Sequence, residues 1–241
     1  MKITEITTWS YSLHVVIFHL YIIASERMVI IMKPDYIVFP DASVKLSGKK
    51  RYGGYGVVVL ERKSKQYLTE QNELHGKTVP YLEGYAMYRG LQLVSRFHKG
   101  NDARSILVVS DSKTVVDAFN IWMHRSWNMS DYKNWKKRDG TPVQNQKLYR
   151  MILDWSVTHS YKLKVVHIRS HTERNPALRD TIRKKLQTYK VRVNDTTLDT
   201  IIRMNRLADQ LANDAATYYK DTDGILERLI PIDRGDSNDR T

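Results

Sequence analysis

Four acidic residues are spaced along the chain so that strands and helices could bring their side chains to one edge of a sheet; they are Asp41, Glu83, Asp111 and Asp209. Asp41 and Asp111 each end an uninterrupted apolar run, which is typical of a strand covered on both faces. An ionised side chain at such a position must be hydrated, paired or bound to a metal, because burying it alone costs too much free energy. A single carboxylate cannot distinguish these cases, so the interpretation depends on whether the four side chains meet.

Convergence of the carboxylates would create a site for divalent cations. Neighbouring parallel strands present their carboxyl ends on the same edge of an open sheet, so Asp41 and Asp111 converge if their strands are neighbours. Clustered carboxylates repel one another and raise each other's pKa unless cations lie between them. Such oxygen ligands suit Mg²⁺ or Mn²⁺, and two ions about 4 Å apart stabilise both the attacking and the leaving oxygen of a phosphoryl displacement.

Each acid also has an ordinary explanation when it is considered alone. Asp111 could cap a helix, Glu83 could be a first-turn acid, and Asp209 could lie on a solvated helix face. Only the four acids together, in their order and context, favour a metal site.

The hydrophobic pattern predicts a mixed α/β domain that could position these acids. Strands are predicted at 36–43, 54–62, 66–70, 106–110 and 162–168, and helices at 79–96, 112–122, 143–156 and 204–218. The last helix is amphipathic, with Met204, Leu207 and Leu211 on its apolar face. Hairpin strands followed by alternating strands and helices predict a mixed sheet with helices packed on it.

The composition indicates an anionic partner. Lysine and arginine outnumber aspartate and glutamate by 39 to 26, which gives a net charge of +13. Nucleic acid is the first expectation for the partner, and an acidic membrane surface is the second. Basic residues and tryptophans are interleaved at 122–142, where aromatic faces and cations suit nucleic-acid bases and phosphates. Because the chain has no cysteine, disulfides and thiolate metal sites are excluded.

The chain is predicted to contain one folded domain at 33–220, followed by a polar tail at 221–241. Residues 1–32 form a hydrophobic extension that we expect to be dispensable. Its apolar segment at 13–24 is shorter than the about 20 residues that a spanning helix needs, and no clear signal-peptide cleavage site follows it. A membrane or sorting role of this extension is the alternative.

Six short motifs, in order along the chain, resemble those of type 1 ribonuclease H. They are 39–43 (FPDAS), 53–56 (GGYG), 82–86 (LEGYA), 109–112 (VSDS), His171 within 169–172 (RSHT), and 205–209 (NRLAD). The resemblance covers roughly residues 35–220 and implies the ribonuclease H fold, a five-stranded mixed sheet with helices on both faces. It also implies metal-dependent endonucleolytic cleavage of the RNA strand of RNA–DNA hybrids.

The same resemblance implies roles for the site residues. Asp41 would contact both of two Mg²⁺ ions, for which Mn²⁺ could substitute. Glu83 and Asp111 would complete the leaving-group side, and Asp209 the side of the attacking water. His171 would assist proton transfer or product release. We expect no small-molecule cofactor, no membrane association, a monomer, and an intracellular location that is most simply cytoplasmic, with nucleus, mitochondrion and virus also open.

Six further residues match positions that contact nucleic acid in similar proteins; they are Thr78, Trp122, Trp135, Lys136, Lys137 and Asn145. The threonine and the asparagine match residues that grip a phosphate of the DNA strand, and Trp122 matches an aromatic residue of a DNA channel. The other three belong to a segment that resembles the basic protrusion of the family. Alternatively, one or two of the tryptophans lie in the core.

Three features depart from the family pattern. Residues 79–80 (VP) stand where amide side chains usually precede the helical glutamate, and Lys113 replaces a glutamine; both positions normally read the RNA minor groove. A basic insert at 175–203 separates His171 from Asp209, and we expect either an added nucleic-acid contact or a self-packed or disordered loop. Two alternatives to a ribonuclease H stay open: a DNA nuclease of the same fold, such as a resolvase or transposase, and a catalytically silent nucleic-acid-binding module.

Overall fold

The structure is a computed structural model that describes residues 31–74, 77–97, 104–122, 135–169 and 178–229. The predicted extension at 1–32 therefore lies outside the described residues except for its last two. None of the helices within these ranges is long and apolar enough to cross a membrane.

Five strands form one mixed sheet, as predicted. They are β1 (Tyr36–Ser47), β2 (Lys50–Glu61), β3 (Tyr67–Glu73), β4 (Ser105–Ser110) and β5 (Lys162–His167). Their order across the sheet is β3-β2-β1-β4-β5. The first three strands are antiparallel neighbours, whereas β4 pairs in parallel with both β1 and β5. Because β1 and β4 are parallel neighbours, both strands run toward the same side of the sheet, and Asp41 and Asp111 both lie on the side of their C-terminal ends. We call this side the carboxylate edge.

Helices cover both faces of this sheet, which confirms the predicted fold class. They are α1 (Val79–Phe97), α2 (Lys113–Asp117, continued by one π-helical turn at Ala118–Trp122), α3 (Gln146–Thr158), α4 (Leu178–Thr188) and α5 (Asp195–Leu229). Successive strand residues point to opposite faces. Val38 accordingly belongs to the core cluster that α1, α2 and α3 cover, whereas Ile37 and Phe39 belong to the cluster under α4 and α5.

The basic insert is the main difference from the predicted elements. Its described part, 178–203, forms α4 and the first turns of α5, so the helix predicted at 204–218 begins nine residues earlier, at Asp195. Ile182 and Leu186 of α4 are buried in the same core cluster as α5. The insert is therefore packed against the domain, and the alternative of a disordered loop is wrong for these residues.

Ion pairs join the two helices of the insert. Arg183 pairs with Asp195, and Arg179 lies 3.2 Å from a carboxylate oxygen of Asp199. These two arginines thus have acidic partners on the neighbouring helix, which reduces their availability to an anionic ligand.

Met32 lies inside the folded domain, one residue before the predicted boundary. Its amide donates to the carbonyl of Lys190 at 2.9 Å, and its carbonyl accepts from the amide of Arg192 at 2.9 Å. The side chain is buried against the cluster under α4 and α5. The expectation of a dispensable extension therefore cannot include Met32.

Two glycines allow the backbone of α5 to lie directly on β2. A Cβ atom added at Gly54 would lie 2.3 Å from the amide nitrogen of Ala216, and one added at Gly56 would lie 2.4 Å from the carbonyl oxygen of Ala208. Both distances are far below van der Waals contact with backbone atoms that cannot move aside. Because Gly56 is the register partner of Asp41, this close approach brings the Ala208 turn of α5 to the carboxylate edge.

We expect the substitution Gly56→Ala to lower the free energy of unfolding by about 1–3 kcal/mol, the usual cost of overpacking. Urea unfolding of the wild type and the variant measures this difference. Gly84→Ala is the matched control, since its added Cβ meets a Leu148 side-chain methyl at 3.0 Å rather than backbone. Alanine also favours helix over glycine by about 1 kcal/mol. Equal stability of Gly56→Ala and the wild type would contradict the backbone contact between α5 and β2.

Candidate active site

Three carboxylates from separate segments meet at the carboxylate edge. One oxygen each of Asp41, Glu83 and Asp111 lies within 4.8 Å of the other two, and we call these three residues the carboxylate cluster. Asp41 is contributed by β1, Asp111 follows β4 directly, and Glu83 comes from the second turn of α1. The pairing of Val38 with Val108 aligns β1 and β4 so that the two aspartates, three residues further along each strand, arrive side by side.

Burial and mutual repulsion perturb the acidity of the cluster strongly. Asp41 and Glu83 are each only 6% exposed. Burial and the nearby Asp111 raise the pKa of Asp41 to about 8 from an ordinary 3.8, although the amide of Ala42, which donates to Oδ1 at 2.7 Å, acts in the opposite direction. Burial, Asp41 and Asp111 likewise raise the pKa of Glu83 well above its usual range. Without a cation, the surroundings of Asp41 and Glu83 therefore favour their protonated carboxyl groups.

The oxygen Oε2 of Glu83 is buried and has no hydrogen-bond partner among the described residues. An unsatisfied carboxylate oxygen beside two further carboxylates is unfavourable unless a cation binds it. The donor set consists only of hard oxygen ligands, which Mg²⁺ and Mn²⁺ prefer. The residues present thus fit divalent cations.

Asp209 lies near the cluster without belonging to it. It is half-buried on α5, next to Ala208, whose carbonyl approaches Gly56. The charge of Asp209 contributes to the raised pKa of Asp41, which places the two carboxylates within electrostatic reach. The four predicted acids are therefore brought to one region, and three of them each place one oxygen within 4.8 Å of the other two. His171, the fifth predicted catalytic residue, lies outside the described residues.

His167 is a neighbour of the cluster that the sequence analysis missed. It ends β5, pairs in register with Ser110, and places Nε2 at 2.9 Å from the carbonyl oxygen of Asp111. The side chain of Ser110 accepts a hydrogen bond from the amide of Ser112 at 3.1 Å. Hydrogen bonds that involve His167 and Ser110 therefore fix the backbone at Asp111 and Ser112. A histidine at the end of a predicted strand beside the strand of Asp111 was the available signal.

A cleft of about 380 Å³ lies near the cluster, and three of the six predicted nucleic-acid contacts line it. It is lined by Pro80, Thr114, Trp122, Lys137, Val143, Gln144, Asn145 and Tyr149. Pro80 precedes Glu83 by three residues on α1, so this part of the cleft lining lies about one helical turn from Glu83. Thr78 is exposed just before α1, and its carbonyl accepts from the amides of Tyr81 and Leu82.

The backbone of Asn145 is unusual for a residue other than glycine. Its φ of 56° and ψ of 22° place it in the left-handed region, at the N-terminus of α3. Asparagine tolerates this conformation better than most residues, and such positions are concentrated at binding sites. The conformation sets the direction in which the Asn145 side chain leaves the backbone, next to Gln144 in the lining of the cleft.

The prediction that Trp135 contacts nucleic acid is wrong, because its side chain has no exposed surface. Trp135 is packed in the core cluster that α1 and α3 cover. Its carbonyl accepts from the amide of Val143 at 3.0 Å, and a bridge between Lys136 and Pro142 closes the hairpin. The tryptophan thereby anchors a hairpin on which Lys136 and Lys137 are exposed.

Comparisons with known proteins agree on one family. The sequence model of the family described as RNase H matches residues 33–217. A ribonuclease H of Thermoanaerobacter sp. (strain X514) is 29% identical over 129 residues, which are 53% of this chain and 74% of that protein. The family model extends well beyond the short motifs and includes most of the described residues.

Two solved structures show the same fold. LC9-RNase H1, a type 1 RNase H with the type 2 active-site motif, has a TM-score of 0.51 and 18% identity, over 79% of this chain and 75% of that chain. The foamy viral protease-reverse transcriptase in complex with an RNA/DNA hybrid has a TM-score of 0.50 and 16% identity, over 78% of this chain but only 21% of that chain.

The pKa of Asp41 predicts how the stability of the metal-free protein depends on pH. Between the ordinary pKa of 3.8 and the folded value of about 8, the folded state binds the proton more tightly than the unfolded chain. The free energy of unfolding should therefore fall as pH rises through this window. Asp41→Asn removes the charge, so in EDTA at pH 8 its melting temperature should exceed that of the wild type by at least about 3 °C, the shift that about 1 kcal/mol produces.

The difference in melting temperature should shrink toward zero near pH 4, where the wild-type carboxyl is protonated. Millimolar Mg²⁺ at pH 8 should raise the melting temperature of the wild type more than that of Asp41→Asn. Asp214→Asn, which changes an exposed acid of α5, serves as control and should match the wild type throughout. A pH-independent difference would show that Asp41 does not have the raised pKa.

Proposed function

Because the chain belongs to the ribonuclease H family, we propose that it hydrolyses the RNA strand of RNA–DNA hybrids at its carboxylate cluster. The observation that carries the proposal is the cluster itself, in which three carboxylates lie within 4.8 Å of one another. All three fall inside the residues that the family model matches. The hybrid-bound foamy viral neighbour supports an RNA–DNA hybrid as the substrate.

The metal that the family requires is proposed to be Mg²⁺, as two ions, with Mn²⁺ as a substitute. The carboxylate cluster and Asp209 would hold these ions. When bound, such ions stabilise charge on the phosphate and lower the pKa of the attacking water. The buried Oε2 of Glu83 supports this assignment, because it offers a ligand atom that no described donor occupies.

The residues around Asp41 are proposed to have separate roles. One oxygen of Asp41 is fixed by the amide of Ala42. Glu83 and Asp111 are proposed to serve the leaving oxygen, and Asp209, which α5 brings in from the other face of the sheet, to serve the attacking water. His171 keeps its proposed role in proton transfer or product release.

The cleft beside the cluster is proposed to receive the DNA strand. Trp122 offers an aromatic face to a sugar or base, Lys137 a charge to a phosphate, and Asn145 a polar side chain. Thr78 and Lys136 are exposed and lie two residues before Pro80 and one residue before Lys137 of the lining, and they would add phosphate contacts. These contacts favour binding by charge and shape rather than by base sequence.

Recognition of the RNA strand is proposed to depend less on amide side chains than it does in similar proteins. Val79 is 44% exposed and offers only an apolar surface at the start of α1. Lys113 forms an ion pair with Asp117 one turn along α2. Selectivity for hybrids would then rest on the DNA-strand cleft together with the 2′-hydroxyl groups of the RNA strand.

End-labelled RNA–DNA hybrid, RNA duplex and DNA duplex, each incubated with Mg²⁺ and with EDTA, test the proposed reaction. We expect cleavage of only the RNA strand of the hybrid, and only with metal. Asp41→Asn and Asp111→Asn should lower the cleavage rate by more than about a hundredfold, because each removes a charged ligand, while hybrid binding in EDTA persists. Cleavage of the DNA duplex would favour a resolvase-like nuclease, and binding without cleavage would favour a silent binding module.

A second prediction concerns the cleft. Lys137→Ala should weaken hybrid binding by about five- to tenfold, the effect of about 1–1.4 kcal/mol, with a smaller effect on the rate at saturating substrate. Arg138→Ala is the matched control: it removes the same charge from the same hairpin but does not line the cleft. Asn145→Gly keeps the left-handed backbone conformation accessible, so this substitution tests the contribution of the side-chain amide alone. Equal effects of Lys137→Ala and Arg138→Ala would indicate only a general charge effect.

A further inference from the structure

A second concentration of positive charge lies on the side of the sheet opposite the carboxylate edge, where β1 begins. A cleft of about 400 Å³ lies there, lined by Lys33, Arg62, Arg192, Val193, Asn194 and Thr197. Lys33 precedes Asp41 by eight residues, which corresponds to roughly 25 Å of extended chain. We call this feature the basic cleft; it is separate from the cleft beside the cluster.

Three segments distant in sequence are held together to form the basic cleft. The amide of Arg62 donates to the carbonyl of Asp35 at 2.9 Å, and its Nε donates to the carbonyl of Pro34 at 2.6 Å. On the other side, the amide of Arg192 donates to the carbonyl of Met32 at 2.9 Å. Lys33 thus lies in a short backbone segment that is fixed from both sides by the segments of the two arginines.

The three cations of the basic cleft have no acidic partner within the described residues. Lys33, Arg62 and Arg192 are exposed, and none of the ion pairs in the described parts of the chain involves them. Arg179 and Arg183, on the helix just before Arg192, are paired with aspartates instead. Like charges held around one cavity repel each other, and an anion bound between them removes that repulsion.

The charges around the basic cleft extend its positive potential. Lys63 and Lys65 are exposed in the turn after β2, and Lys190 lies in the turn after α4. Burial, together with the charge of Lys190, lowers the pKa of Lys164 on β5. Three acids close in sequence to the lining are engaged locally: Asp35 accepts from the amide and hydroxyl of Ser105, Glu61 accepts from Ser64, and Asp195 pairs with Arg179 and Arg183. They do not line the basic cleft.

We propose that the basic cleft is a second nucleic-acid-binding site, which holds phosphates of a strand or duplex other than the one at the carboxylate cluster. The lining consists of Lys, Arg, Asn and Thr side chains, which are the groups that contact nucleic-acid phosphates. Val193 is its single apolar lining residue, whereas a membrane-surface site would offer larger apolar or aromatic groups. One part of this proposal, the kind of nucleic acid expected at the basic cleft, rests on the proposed function.

The test uses the full chain with Asp41→Asn in EDTA, so that binding is measured without cleavage. A fluorescent hybrid of about 12 base pairs is titrated at several salt concentrations, and each added substitution is made in this background. We expect two binding events per chain. Lys33→Glu with Arg192→Glu, two exposed positions, should weaken one event at least tenfold and lower its log–log salt slope by about 2, the value for two lost phosphate contacts.

Lys49→Glu with Lys220→Glu is the matched control, because it changes the net charge equally at exposed positions in the β1–β2 turn and late in α5. It should leave the event at the basic cleft unchanged. Melting temperatures within about 2 °C of the parent would establish that both double variants are folded. A single binding event in the parent, or equal effects of the two double variants, would overturn the proposal.

Two further measurements separate the possible outcomes. Binding of vesicles that contain phosphatidylserine, without a second nucleic-acid event, would overturn the proposal in favour of a membrane-surface site. Cleavage of the hybrid by the chain with Asp41 intact, but with only one binding event, would refute the basic cleft while the proposed function stands. A second binding event without any hybrid cleavage would support the basic cleft and refute the proposed function.

Discussion

Repulsion among buried carboxylates is the constraint on which the structure depends. Asp41 and Glu83 are almost fully enclosed, and their oxygens lie within 4.8 Å of each other and of Asp111. Without a cation this arrangement is unfavourable, so the surrounding fold must supply the free energy that keeps it formed. Two apolar clusters, one on each face of the sheet, supply it by burying the strands that carry the aspartates.

The fourth acid arrives by a different physical route, since Asp209 belongs to a helix on the other face of the sheet. Side chains on β2 would keep that helix about 10 Å from the strand backbone, as in ordinary packing. Gly54 and Gly56 remove those side chains, and α5 approaches until its carbonyls touch the strand. The glycines are therefore part of the site although they carry no functional group.

Much of this could be predicted because the decisive signals are local. Apolar runs identified strands such as β1 and β4, whereas the parallel pairing of these two strands was only a condition of the prediction, because no local pattern encodes which strands are neighbours. Trp135 was wrongly assigned because composition alone cannot distinguish an exposed aromatic from one that anchors a hairpin in the core. The helix α4 was missed because only a few apolar side chains, such as Ile182 and Leu186, interrupt its charged sequence. Its partners on α5 are contacts that no local pattern encodes.

The distribution of charge, rather than its total, carries the remaining information. A net charge of +13 predicts an anionic partner but no location. In the folded chain, Arg179 and Arg183 are matched by aspartates across a helix pair, so they serve the packing of the insert. Lys137 beside the carboxylates and Arg192 at the opposite edge both line clefts instead. The two clefts share no lining residue, so the cations of the basic cleft belong to a surface separate from the one that Lys137 lines.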